Sequence, residues 1–273
     1  MAVEKTYKDL LQFPIIHGRF ICNEVLTNVA IKEKQVTISS DIQILTVCNQ
    51  SSLGQSVIDQ VNFANTKVHT IVIDEFVKWI SKIQSLKEYI EANYDNLPKY
   101  ILYLDAFDCL ILQDIIHPQE YLDFYNCKML FNVEGNFTHT GFPEPTSRYF
   151  EPLYNIEAQR YSKLNEKKYG VAHQCGLNAG VFLGEKEFTL KILTEALNYM
   201  LDDCNKGFPF GCLDDQCLLR FIHNEHYGDI SVDLFNKLSF WGSSLTFEDF
   251  SSENVFGIGY TQKYLKQYSN GKY

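Results

Sequence analysis

The chain of 273 residues is sparing with proline (7), methionine (3) and tryptophan (2), and none of its eight cysteines belongs to a Cys-x-x-Cys pair. Structural zinc sites and dithiol redox motifs are built on such pairs, so neither is expected. Basic residues are also scarce: 24 Lys and Arg stand against 34 Asp and Glu, a net charge of −10, and no Lys/Arg cluster stands out. Neutralising a nucleic-acid backbone requires clustered positive charge, which removes DNA and RNA as partners. No apolar run approaches the roughly 20 residues of a spanning helix. The opening residues already carry Glu4, Lys5, Lys8 and Asp9 where an export signal would be apolar. A soluble cytoplasmic protein without a membrane span is expected, its scattered cysteines buried as free thiols in a reducing compartment.

What the chain does have is apolar filling: 45% hydrophobic and 14% aromatic residues, ample for one large α/β domain over 1–273. Residues 1–40 read as an irregular or accessory lead-in, with a charged helix over Glu4 to Gln12. Strands are expected at Ile42 to Cys48, Val68 to Ile73, Tyr100 to Leu104, Lys128 to Val133 and Gly176 to Leu183. Helices are expected at Gln55 to Ala64, Glu75 to Tyr94, Leu153 to Lys168, Glu187 to Asp202 and Asp215 to Asn224. In the second of these, Phe76, Ile80, Ile83, Leu86 and Ile90 form one stripe. Alternation of this kind predicts a mostly parallel, Rossmann-like sheet flanked by helices, with ligands beyond the carboxyl ends of its strands. Glu134 to Pro152, rich in glycine and proline, reads as a long functional loop. His223, Glu225 and His226 lack the i, i+4 step of a metalloprotease helix and read as a solvated helix end.

Three short stretches carry chemistry. The apolar strand Tyr100 to Leu104 runs straight into Asp105-Ala106-Phe107-Asp108. A turn after Asp105 can gather both carboxylates at the sheet edge, where oxygen ligands suit a hard divalent cation; an aspartate at a strand end is also an ordinary turn former or helix cap. Asn178-Ala179-Gly180 then places an amide and two small residues at the start of a strand. Small side chains let a bulky ligand approach the backbone, and an amide offers both a donor and an acceptor to hydroxyls. Asp214-Asp215-Gln216 opens a helix, as plain N-capping residues would, or with one carboxylate turned to a pocket.

In this order the three motifs resemble those of the GT-A glycosyltransferases, and most closely the glycosyltransferase domain of the procollagen lysyl hydroxylases and their relatives. That family has an Asp-x-x-Asp metal site, a Leu-Asn-Ser-Gly strand and an Asp-Asp-Gln helix. The resemblance spans about residues 42–265, and Phe131 to Glu134, Ile42 to Asn49 and Val77 to Trp79 also match family segments. It implies a GT-A fold, Mn²⁺ or Mg²⁺ at Asp105 and Asp108, and a donor pocket at Asn178, Ala179, Gly180 and Gln216, with Asn49 beside the nucleotide base. Asp215 is implied at the reacting centre or acceptor with Asp214 as the cap, or the reverse. The family's His-Gly-Asn-Gly segment is Phe256-Gly257-Ile258-Gly259 here, so its ligating imidazole is absent. Gly257, Gly259 and Lys263 are then the candidates to meet phosphate.

The expected activity is hexose transfer from a nucleoside diphosphate sugar, UDP-glucose or UDP-galactose, to a hydroxyl of a glycan, lipid-linked sugar or protein acceptor. Two other readings remain. A catalytically silent nucleotide-sugar-binding module accommodates the missing histidine. A metal-dependent phosphohydrolase also uses strand-end carboxylates, although the Asp-Ala-Phe-Asp spacing suits it poorly.

Overall fold

The computed structural model describes residues 14–18, 36–49, 68–75, 78–106, 109–111, 113–135, 163–164, 166–168, 175–205 and 215–242. The elements are β1 (Ile15–Gly18), β2 (Ile42–Asn49), β3 (Val68–Ile73), α1 (Lys78–Ala92), β4 (Tyr100–Leu104) and β5 (Cys109–Ile111). They continue with α2 (Pro118–Tyr125), β6 (Met129–Gly135), β7 (Cys175–Glu185), α3 (Lys186–Asn205), α4 (Asp215–Glu225), β8 (Ile230–Val232) and β9 (Ser239–Gly242).

Six strands form one sheet in the order β3-β2-β4-β7-β6-β8. The expected mostly parallel sheet is mixed. β2 pairs parallel with β3 and β4, and β6 parallel with β8, but β7 runs antiparallel to both β4 and β6. An apolar segment buried on both faces does not encode its own direction, which is why hydrophobicity located β7 and left its sense open. Between Phe131 and Asn132 the β6–β7 register shifts: Phe131 stands opposite Phe182 and Asn132 opposite Asn178, so Ala179, Gly180 and Val181 of β7 have no partner on β6.

The sheet is packed on both faces. On one, Leu45, Val47, Ile101, Tyr103, Phe131 and Phe182 meet Ile83, Leu86 and Ile90 of α1, Ile192 and Ala196 of α3, and Leu219 and Ile222 of α4. On the other, Ile44, Leu102, Leu104, Leu130 and Val181 meet Leu122 and Tyr125 of α2, together with a second, three-stranded sheet in the order β5-β1-β9. β1 belongs to the lead-in expected to be irregular. It is a strand nonetheless, paired antiparallel with β5 and parallel with β9, because four residues are too few for periodicity to reveal.

The expected stripe on α1 is buried at Ile80, Ile83, Leu86 and Ile90, all on one side of the helix. α2 starts with Pro118 in its first turn and ends on Asn126 in the left-handed region at φ 49°, a conformation asparagine tolerates better than most residues. The helices expected over Gln55 to Ala64 and Glu4 to Gln12, and the loop over Glu134 to Pro152 beyond Gly135, lie outside the described residues. Of Leu153 to Lys168, only 163–164 and 166–168 are described, as helix. Among the described residues no helix is long and apolar enough to cross a membrane.

Candidate active site

The carboxyl ends of β2 and β4, neighbours in the sheet, bring Asn49 and Asp105 to one edge. Because β7 runs the other way, its first half reaches the same edge, and the Asp105 N–H donates to the Gly180 carbonyl at 2.8 Å. Asn178, Ala179 and Gly180 therefore stand beside the end of β4, although more than 70 residues separate them from it in sequence. α4 lies along β7 on the helical face: Gln216 Oε1 accepts from the Ala179 N–H at 3.3 Å, and the buried Arg220 Nε donates to the Leu177 carbonyl at 2.9 Å. These contacts set Asp215, the first residue of α4, against the same turn.

The centre of the arrangement is a residue that the sequence reading did not select. Lys82, from the second turn of α1, places its Nζ 3.0 Å from Asp105 Oδ1 and 2.8 Å from Asp215 Oδ2, and donates to the Ala179 carbonyl at 3.2 Å. The same ammonium lies 4.7 Å from the Tyr103 ring centroid and 5.9 Å from that of Trp79. One side chain thus joins all three motifs. The signal was present in the sequence: Lys82 adjoins Ile83 and Leu86 of the inward stripe of α1, and a charge beside such a stripe has to find a buried partner.

The charge states follow from burial and proximity. The Lys82 side chain is 4% exposed, that of Asp215 5% and that of Asp105 31%. Burial alone pulls the ammonium toward neutrality, but the two carboxylates outweigh it, and its pKa stands well above the ordinary lysine value. Burial, reinforced by the charge of Asp105, holds the Tyr103 phenol well above its ordinary value, so it remains a donor and gives its O–H to Asp105 Oδ1 at 2.7 Å. Two carboxylates against one ammonium leave the cluster one net negative charge.

Among the described residues, a divalent cation fits this edge only through Asp105. That carboxylate is partly exposed in a net negative surrounding, whereas Asp215 is buried and taken up by Lys82. Asn178 Oδ1 accepts from the Gly180 N–H at 2.9 Å, which orients the amide within β7. Asp108, Asp214, Gly257, Gly259 and Lys263 lie outside the described residues. A surface hollow of about 350 Å³ bordered by Ile116, Tyr121, Phe124 and Lys237 shares no residue with the cluster.

The histidine pair at the end of α4 is not a solvated helix end. His223 is 1% exposed, and burial together with the nearby Lys168 charge drives its imidazole down to about 3, so it stays neutral. α4 packs that side inward against β8, while His226 Nε2 meets Glu195 Oε2 at 2.7 Å. The expected free thiols are present where described: Cys48 and Cys109 are buried, and burial lifts the half-buried Cys127 to about 12.

No protein-family model matches the chain, and no curated protein matches it.

Proposed function

We propose that this chain is a cytoplasmic glycosyltransferase of the GT-A type, moving a hexose from UDP-glucose or UDP-galactose to a hydroxyl of a glycan, lipid-linked sugar or protein. One observation carries the reading. Asp105, Ala179 and Asp215, from the three motifs on which the resemblance rests, converge on a single buried ammonium at the carboxyl edge of the sheet. That edge is where open α/β folds hold their ligands.

In this reading Lys82 and Tyr103 fix the Asp105 carboxylate in direction, and Lys82 does the same for Asp215, so their service is orientation and hydrogen bonding. The Asn178 to Gly180 segment of β7 is buried and held by α1, β4 and α4 through its backbone, which makes it a rigid floor beneath the edge where a sugar would lie. A bound Mn²⁺ or Mg²⁺, held by Asp105 and Asp108, would supply Lewis-acid neutralisation of the departing diphosphate.

The test is release of free nucleoside diphosphate from a panel of nucleotide sugars, with Mn²⁺ or with EDTA, for the native protein and for Asp105→Ala and Asp108→Ala. Release from a UDP-hexose that both substitutions abolish is the expected result. Full release in EDTA removes the cation from the proposal. Binding without release favours the silent module, and liberation of inorganic phosphate favours the hydrolase. Absence of any nucleotide-sugar binding refutes the transferase reading.

A further inference from the structure

Trp79 is one of two tryptophans in the chain and is 42% exposed, an unusual position for the largest apolar side chain. It sits in the first turn of α1, one turn before Lys82, and its ring centroid is 5.9 Å from the Lys82 Nζ. That ammonium in turn holds the partly exposed Asp105. The indole therefore lies beside the buried ammonium that fixes Asp105, the partly exposed carboxylate of the cluster. An exposed indole near an oriented, partly exposed carboxylate is the complement of a pyranose, whose ring carries one apolar C–H face and a rim of hydroxyls. A nucleobase could use the face but would leave the carboxylate rim facing its own acceptors, and a phosphate would meet net negative charge.

We propose that Trp79 is a platform for a sugar ring, stacking its apolar face while Asp105 receives a ring hydroxyl. The sugar is either the hexose of the nucleotide donor or the terminal sugar of the acceptor. This goes beyond the transferase reading by naming the residue that recognises the ring, and it rests on that reading only in supposing that a sugar is the substrate.

The experiment places Trp241→Phe in the full chain, so that Trp79 alone emits. Its fluorescence is titrated with UDP, UDP-glucose, UDP-galactose, methyl β-glucoside and methyl β-galactoside, with binding followed in parallel by calorimetry. A change in emission with a UDP-hexose and not with UDP assigns the donor sugar. A change with a methyl glycoside alone assigns the acceptor. Trp79→Ala is expected to weaken the sugar that binds by about fivefold to tenfold and to leave UDP affinity unchanged, while Trp79→Phe keeps most of the affinity. An emission change as large with UDP as with UDP-hexose overturns the proposal, as does calorimetric sugar binding without an emission change, or silence with all five probes. UDP binding without response to any sugar refutes the platform and leaves the nucleotide-binding part of the transferase reading standing, whereas a methyl glycoside response without any nucleotide binding does the opposite. If Trp79→Ala fails to fold, Trp79→Phe and the emission titration decide.

Discussion

Replacing Lys82 with methionine preserves most of the stem and removes the ammonium, which isolates the charge that joins the site. Asp215 then keeps a carboxylate with a side chain only 5% exposed and loses the cation 2.8 Å away. Removing one partner of a buried ion pair costs about 3–5 kcal/mol, because the remaining charge can neither hydrate nor pair. Asp105, at 31% exposed, adds little to this, since water screens it and Tyr103 still donates to it. Asp215→Asn is the milder change: Lys82 keeps Asp105 and the Ala179 carbonyl, and the loss is that of a charged hydrogen bond, about 1.5–3 kcal/mol. In the double variant Lys82→Met/Asp215→Asn no carboxylate is stranded in the interior at position 215, so the two costs should fall short of additive by at least about 1 kcal/mol. Urea unfolding followed by circular dichroism gives the four stabilities, and at about 2–4 °C per kcal/mol Lys82→Met should melt roughly 6–20 °C below the native chain. A Lys82→Met protein within about 0.5 kcal/mol of the native one, or a strictly additive double variant, would refute the buried triad.

The remaining expectations concern stability elsewhere in the fold. The imidazole of His223 is held down to about 3 in the folded protein, against about 6.5 when unfolded. Between those values the unfolded state binds the extra proton, so stability is full above about pH 6.5 and falls by up to about 1.4 kcal/mol per pH unit on acidification. His223→Phe should flatten that part of a denaturation-versus-pH curve, and an unchanged slope contradicts the assignment. Asp233, fully buried, accepts the Tyr125 O–H at 2.6 Å and the N–H groups of Lys237, Leu238 and Ser239, each at 2.8 Å, which ties α2 to the entry of β9. Asp233→Ala should cost at least about 3 kcal/mol by chemical denaturation, since it leaves several buried donors unsatisfied. At Gly184 an added methyl would lie 2.4 Å from Thr189 Oγ1 and 3.1 Å from Met129 Cγ. Gly184→Ala is therefore expected to destabilise by about 1–3 kcal/mol, and Thr189→Ala in the same chain should recover part of the loss; no recovery would mean that the obstruction lies elsewhere.

Element identity was readable where apolar periodicity is long or uninterrupted. β3 and β4 have the expected limits, α1 (Lys78–Ala92) lies within its expected bounds and ends two residues early, and α3 and α4 begin within one residue of expectation. Strand direction was not readable, because a mostly apolar segment such as Leu177 to Leu183 looks the same whichever way it runs. β1, β5, β8 and β9 have three or four residues each and gain their stability from partners distant in sequence, information that no local window contains. At the candidate site the carboxylates were legible because they interrupt apolar strands or open helices. Lys82 was not, because among the other lysines of α1 its charge is conspicuous only once the inward stripe is drawn through Ile83 and Leu86 and the position is seen to be buried. His223 was missed for the complementary reason: a polar residue near a helix end invites a solvated reading, and only the packing of α4 against β8 reverses it.

The charge of the cluster separates what it can bind unaided from what it cannot. Asp105, Asp215 and Lys82 sum to one net negative charge at the carboxyl edge. A phosphate charge about 6 Å away, at an effective dielectric of about 20, is repelled by about 3 kcal/mol. That is roughly a hundredfold in affinity for each such charge. A neutral hexose meets no such penalty and can still donate to the partly exposed Asp105. A nucleotide sugar approaching this edge therefore needs additional positive charge, from a cation at Asp105 and Asp108 or from Lys263, whereas a free glycoside does not. UDP-hexose affinity should then fall by about a hundredfold in EDTA, while methyl glycoside affinity stays constant. Equal insensitivity of both would mean that the diphosphate lies away from Asp105, and that Lys82 holds the two carboxylates for folding rather than for a donor.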